Sequence, residues 1–327
     1  MRRRAIVAAG AVACVVLLVG LAGWRAQSEI AVWLAPSKMA STGSSENARR
    51  ANAKFWDALH GGRYEELPSV IEALTAAYIE NPRDVETTAH IGFSHTWFYT
   101  EQARLDRETA AVTDHVVLAR KYFAEAVRLA PDDQRFKGFL ATQEIAEGRV
   151  DDNEKLFRRG YFDLMKAIEG WPEFNLFTAG YVMSRLPFAD ARYGEAVDYQ
   201  WQNLDACAGE KVDRSTVDYT KYMVQETTTG PRRVCWNSWI APHNFEGFFL
   251  NMGDMLVKQG EPTTAQRVYA NARLARSYQE WPFKPVLEAR IEHAAENVAV
   301  FRNPPPGEKT RTIMISSTFS CMGCHQQ

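Results

Sequence analysis

The apolar positions divide this chain into a head, a periodic body and a tail. Residues 5–24 form an uncharged run, Ala5 to Trp24, directly behind Met1-Arg2-Arg3-Arg4. From Asn47 to about Phe301, apolar residues recur at the three-and-four spacing of a helix stripe, and alternating β-branched runs are few. Asn303-Pro304-Pro305-Pro306-Gly307 ends that pattern, because proline lacks the N–H and clashes with the preceding turn. The pattern predicts an all-α body over residues 48–301 and an extended tail over 302–327, Thr/Ile/Ser-rich from Lys309 to Ser320.

Within the body the helical pattern repeats. One unit runs from Gly247 to Ala272: an apolar-Gly pair at Met252-Gly253, a stop at Gly260, then Ala265, Tyr269 and Ala272 on one helix face. Small residues let two helices approach, and the aromatic fills the hole they leave. Ala119, Phe123, Ala126 and Pro131 repeat the spacing, as do Val70, Leu74, Ala77 and Pro82 with substitutions. Ile91-Gly92 is another apolar-Gly pair, and Leu140-Ala141, Gly148, Phe157 and Gly160 form a looser copy. Trp171-Pro172 and Trp281-Pro282 mark boundaries. These units resemble tetratricopeptide (TPR) repeats. The resemblance implies stacked helical hairpins with a surface for protein partners. Two insertions depart from it, near 101–114 and 208–242.

The head is long enough to span a bilayer as one helix. The arginine triplet belongs on the cytoplasmic side, which sends the body across. Residues 1–26 are therefore expected to form a transmembrane anchor, with Cys14 a membrane-buried thiol; cleavage after Ala22, releasing the body, is the alternative. Residues 27–47, small and polar around Ser37–Ser45, are expected to be a flexible linker.

The tail carries Cys321-Met322-Gly323-Cys324-His325, a C-x-x-C-H. Two thiols at this spacing reach two vinyl groups of one porphyrin, and the next residue brings an imidazole to the iron. A half zinc site or a free dithiol is the bland alternative; zinc needs four ligands, and no second Cys/His pair of suitable spacing is present. The motif resembles that of c-type cytochromes. The resemblance implies one haem c, covalent at Cys321 and Cys324, with His325 as axial ligand, attached outside the bacterial cytoplasm. That places the body on the periplasmic side of the inner membrane. The sixth iron position is open to His243 or Met314, with His90, His95, His115 and His293 as further candidates. Only two residues follow His325, so a haem there has no private fold and is expected to dock on the body, at the aromatic-rich segment Trp236–His243.

Composition narrows the partners. Net charge is −2, and no basic cluster follows the N-terminal arginines, which argues against nucleic acid. Cys207 and Cys235 are either a disulfide or two buried thiols, in a compartment that permits the bond. No H-E-x-x-H, G-x-S-x-G or P-loop pattern occurs. The leading expectation is electron transfer or a haem-bearing scaffold, with a periplasmic or membrane protein as redox partner or assembly client. The alternatives are a haem-free assembly adaptor and a peroxidase-like haem enzyme.

Overall fold

The computed structural model describes residues 26–101, 111–303, 312–315 and 321–327. The chain divides into two units, 1–39 and 40–327. In the first, the described residues hold one helix, α1 (Gln27–Leu34), with no buried side chain. This corrects the linker expectation: residues 27–34 are helical. Glu29 complements the first turn, and Ala35-Pro36 stops the helix. The apolar run 5–24 lies outside the described residues; among those described, no helix is long and apolar enough to cross a membrane.

The second unit is all-α, without a strand among its described residues. Its helices are α2 (Glu46–His60), α3 (Leu67–Glu80), α4 (Val85–Thr100), α5 (Ala111–Leu129), α6 (Gln134–Val150), α7 (Glu154–Gly170), α8 (Pro172–Met183), α9 (Tyr193–Ala208), α10 (Asn244–Gln259), α11 (Pro262–Ala270), α12 (Lys284–Glu292), α13 (Ala294–Arg302) and α14 (Cys321–His325). Sequential helices pack as hairpins: α2 with α3, α4 with α5, α6 with α7, α8 with α9, α10 with α11. Short polar turns separate them. Asp84, Asp133 and Asn153 each accept a main-chain N–H of the helix that they start, from Thr87, Arg135 and Leu156.

Glycines let the paired helices approach. A Cβ on Gly253 would stand 2.2 Å from the Tyr269 ring, and one on Gly160 would stand 2.6 Å from Ala141 O. Ala265, Tyr269 and Ala272 are all fully buried. The Tyr269 hydroxyl donates to Asp254 Oδ1 at 2.6 Å, and Arg290 Nε donates to the same oxygen at 3.0 Å. Burial is the largest influence on Asp254 and raises its pKa; Arg290 opposes it.

Two apolar clusters dominate. One includes Phe55, Leu67, Leu74, Ile91 and Trp97; the other includes Leu164, Tyr193, Phe249, Tyr269 and Trp281. Of the 101–114 insertion, residues 102–110 lie outside the described residues, and 111–114 begin α5. The 208–242 insertion folds through short 3₁₀ turns at Thr220–Gln225 and Pro231–Cys235. A disulfide joins Cys207, at the end of α9, to Cys235, with Cα atoms 5.8 Å apart.

The tail departs from expectation. Residues 304–311 and 316–320 lie outside the described residues, but 321–325 are helical, not extended. Met314 sits in the C-terminal cluster and Met322 in the N-terminal one. Cys321 touches both, so the C-x-x-C-H turn bridges the two cores.

Candidate functional site at the C-terminal turn

Helical geometry decides what this turn presents. Residues i, i+3 and i+4 share a helix side, so Cys321, Cys324 and His325 point the same way. The turn is too short to persist alone; helix nucleation is unfavourable and isolated turns do not hold. The body therefore holds it, through main-chain atoms at several points. Trp281 Nε1 donates to Gly323 O at 2.9 Å. The His243 N–H donates to Cys324 O at 3.0 Å, and Gln327 N–H donates to His60 O at 2.9 Å. These bonds turn the tail helical where proline-rich sequence alone suggested extension.

Glycine forms the seat. A Cβ on Gly247 of α10 would fall 2.5 Å from Cys324 Sγ and 2.7 Å from Gly323 O. Gly62 has φ +63°, and a Cβ there would also meet the Gln326 side chain at 2.6 Å. The docked partner segment lies at the 236–243 loop. His325 Nδ1 donates to Ile240 O at 2.7 Å, and His60 Nε2 reaches the same oxygen at 3.4 Å. Trp239, adjacent to Ile240, is 64% exposed and rests against Trp56 and His60 at ring-centroid distances of 5.0 and 5.3 Å.

A buried carboxylate braces this wall. Glu246 is fully buried and accepts from Asn237 Nδ2 at 2.7 Å and Ser277 Oγ at 2.8 Å. His243 Nδ1 stands 3.1 Å from its other contact, Glu246 Oε1. Asn237 Oδ1 also accepts the Phe245 N–H at 2.8 Å, which ties the loop to the start of α10.

Burial sets the electrostatics. It pushes His325 down to about 4, so the imidazole is neutral at neutral pH. It pushes the Cys324 thiol up to about 12, with Glu246 adding to the effect. Cys321 is raised likewise, first by burial and then by Glu101. Both thiols are therefore protonated. The phenols of Tyr99 and Tyr181 are buried and raised, chiefly by burial and further by the nearby thiols.

The structure sorts the candidate ligands. His243 stands at the turn, its main chain on Cys324 and its ring on Glu246. Met314 does not: its N–H donates to Asp254 Oδ2 at 3.0 Å, and its sulfur accepts from Ser184 Oγ at 3.0 Å. Asp254 lies about 10 Å along α10 from Gly247, where Cys324 is seated. His90 bonds Asn52 Oδ1 at 2.7 Å and stacks on Phe55. His95 and His115 bond each other through Nδ1 atoms at 2.8 Å. His293 pairs with Glu296 at 3.1 Å. The sequence reading missed His60, Gly247 and the use of Trp281. His60-Gly61-Gly62 marks a helix end, and Trp281-Pro282 reads as a boundary, so neither signals a contact with the terminus.

Among the described residues, no three His, Cys, Asp or Glu side chains are grouped to hold a metal ion. A cleft beside the disulfide, lined by Phe177, Tyr181, Tyr219 and Phe248, encloses about 20 Å³, room for one water. No family model matches this chain, and neither does any curated protein or solved structure.

Proposed function

We propose that this chain is a membrane-anchored periplasmic electron-transfer protein carrying one haem c, with a TPR-like helical array as its body. Cys321 and Cys324 would hold the porphyrin by thioethers, and His325 would supply an imidazole nitrogen to the iron. The observation that carries the reading is the hydrogen bond from His325 Nδ1 to Ile240 O. A carbonyl oxygen only accepts, so Nδ1 carries the proton and Nε2 keeps its lone pair for a metal. An anchored Nδ1–H is the support that metal-bound histidines ordinarily have.

The donor set suits haem better than a bare ion. A porphyrin supplies four ligands of its own, so one imidazole and two thiols on one helix side are sufficient. Zinc would need a complete set from the protein, and the described residues group none. When bound, the haem supplies a one-electron iron couple. The chain's part is to fix the imidazole, hold the thiols at the seam of two apolar cores, and limit water. Of the two leading candidates for a second protein donor, His243 is at the turn, whereas Met314 is bonded into the core.

The TPR-like reading rests on the hairpin pairing and on small residues facing aromatics, as with Gly253 and Tyr269. The anchor reading rests on the apolar run 5–24. It gains support from α1 and its flank, where Ile30, Val32, Trp33, Leu34 and Met39 are all exposed. Such a cluster is unusual on a surface that faces only water. A periplasmic or membrane redox protein is the partner this reading calls for.

A second reading has its own observation. Met322 is buried in the N-terminal core, so the turn also acts as a haem-free latch between the first and last hairpins. Expression beside a cytochrome c maturation system separates the two. Haem attachment adds one haem to the intact mass and survives denaturation; a latch alone leaves the mass of the bare polypeptide.

A further inference from the structure

We infer that His60 is a positioning residue for His325, acting through the carbonyl of Ile240 that both rings share. The inference rests on the haem reading for its redox consequence, but its geometry stands without haem.

The chemistry of a carbonyl fixes the roles. Ile240 O has two lone pairs and no proton, so each ring bonded to it must donate. His325 donates from Nδ1 at 2.7 Å, a short bond; His60 donates from Nε2 at 3.4 Å, a long one. Two donors on one acceptor share its electron density. His60 therefore draws on the oxygen that would otherwise serve His325 alone.

His60 is held where it does this. Its ring is flanked by Trp56 and Trp239, with centroids 5.5 and 5.3 Å away. Its own carbonyl accepts the Gln327 N–H at 2.9 Å, so the same residue also ties down the two residues beyond His325. It closes α2 ahead of Gly61-Gly62, and Gly62 leaves space for Gln326. The first hairpin thus reaches His325 through Ile240 O. His60 meets His325 on its Nδ1 side, through Ile240 O, and would leave Nε2 for the iron.

The consequence has a sign. A stronger Nδ1–H···O bond gives an axial imidazole more imidazolate character, which favours ferric iron. Removing the His60 donor leaves Ile240 O wholly to His325, strengthens that bond, and lowers the reduction potential. A side-chain amide at position 60 restores a donor.

The test uses the full chain with haem attached, comparing wild type, His60→Phe and His60→Gln by spectroelectrochemical titration. The potential should fall in His60→Phe and return toward wild type in His60→Gln. In parallel, the haem-free chain is isotope-labelled, and the His325 Nδ1–H resonance is followed by nuclear magnetic resonance. That proton should move downfield in His60→Phe and recover in His60→Gln. Equal potentials and an unmoved Nδ1–H in variants that melt like wild type would overturn the inference. So would equal changes in both variants, which would make His60 a packing residue only. A wild-type chain that takes no haem would defeat the haem reading, while the resonance would still decide the shared carbonyl.

Discussion

The α10–α11 hairpin and the C-terminal turn are both fully integrated into the body, but different physics holds each. The hairpin is closed by neighbours in sequence: Gly253 admits Tyr269, and Ala265 and Ala272 let the helices meet. Apolar packing does most of that work, completed by the bond from Tyr269 to Asp254. The turn is held by residues 42 to 267 positions away, through single bonds from Trp281, His243 and Gln327 to main-chain oxygens. The array can therefore tolerate polar changes that would free the turn, and core changes should damage the array first. A helical hairpin makes its stability locally, whereas the terminal turn has to borrow from several helices at once.

The sharpest way to break the first half of this contrast is Tyr269→Ala. It leaves a cavity beneath Gly253 and takes one of three hydrogen-bond donors from Asp254, and should cost about 3–5 kcal/mol. Urea unfolding followed by circular dichroism measures it. Next is the disulfide. Replacing Cys207 and Cys235 with serine releases a closed loop and should cost about 3–4 kcal/mol, read from the same unfolding curves. Its effect should fall on α9 and the 208–242 segment, seen as faster hydrogen exchange there.

The turn should respond differently. Gly247→Leu puts a side chain where Cys324 and Gly323 sit, and unseating the tail should cost about 1–3 kcal/mol. Exchange protection at His325 and Gln327 should vanish, while the midpoint set by the α10–α11 core moves little. A loss of helix across the whole array would contradict the separation. The smallest effect belongs to the turns between hairpins. Asp133→Ala removes the cap of α6 and should cost about 1 kcal/mol. It should leave both the tail and the thiols as they are.

What the sequence allowed to be read follows the same division. The stops at Pro82 and Pro131 and the buried face of Ala265, Tyr269 and Ala272 are local features, and local spacing carries them. Helix α1 was not legible, because Gln27–Leu34 is only eight residues long and lacks a capping side chain. The helical turn at 321–325 was not legible either. Its conformation depends on Trp281, His243 and Gly247, and nothing near it in sequence encodes them. The segment ending at His243 stood out by its tryptophans, and the turn does dock there, through Ile240 and His243. His60 carries no sequence signal of its own. Its role appears only once α2 is brought beside the chain terminus.

The central claim is that this turn is a haem attachment site and not only a latch. The most direct measurement is the intact mass of the chain produced beside a cytochrome c maturation system, with Cys321→Ser/Cys324→Ser as control. The account predicts one added haem in the wild type, absent from the control, with a reduced-minus-oxidised spectrum of thioether-linked haem. A bare polypeptide mass in both, under conditions that load a known c-type cytochrome, would contradict it.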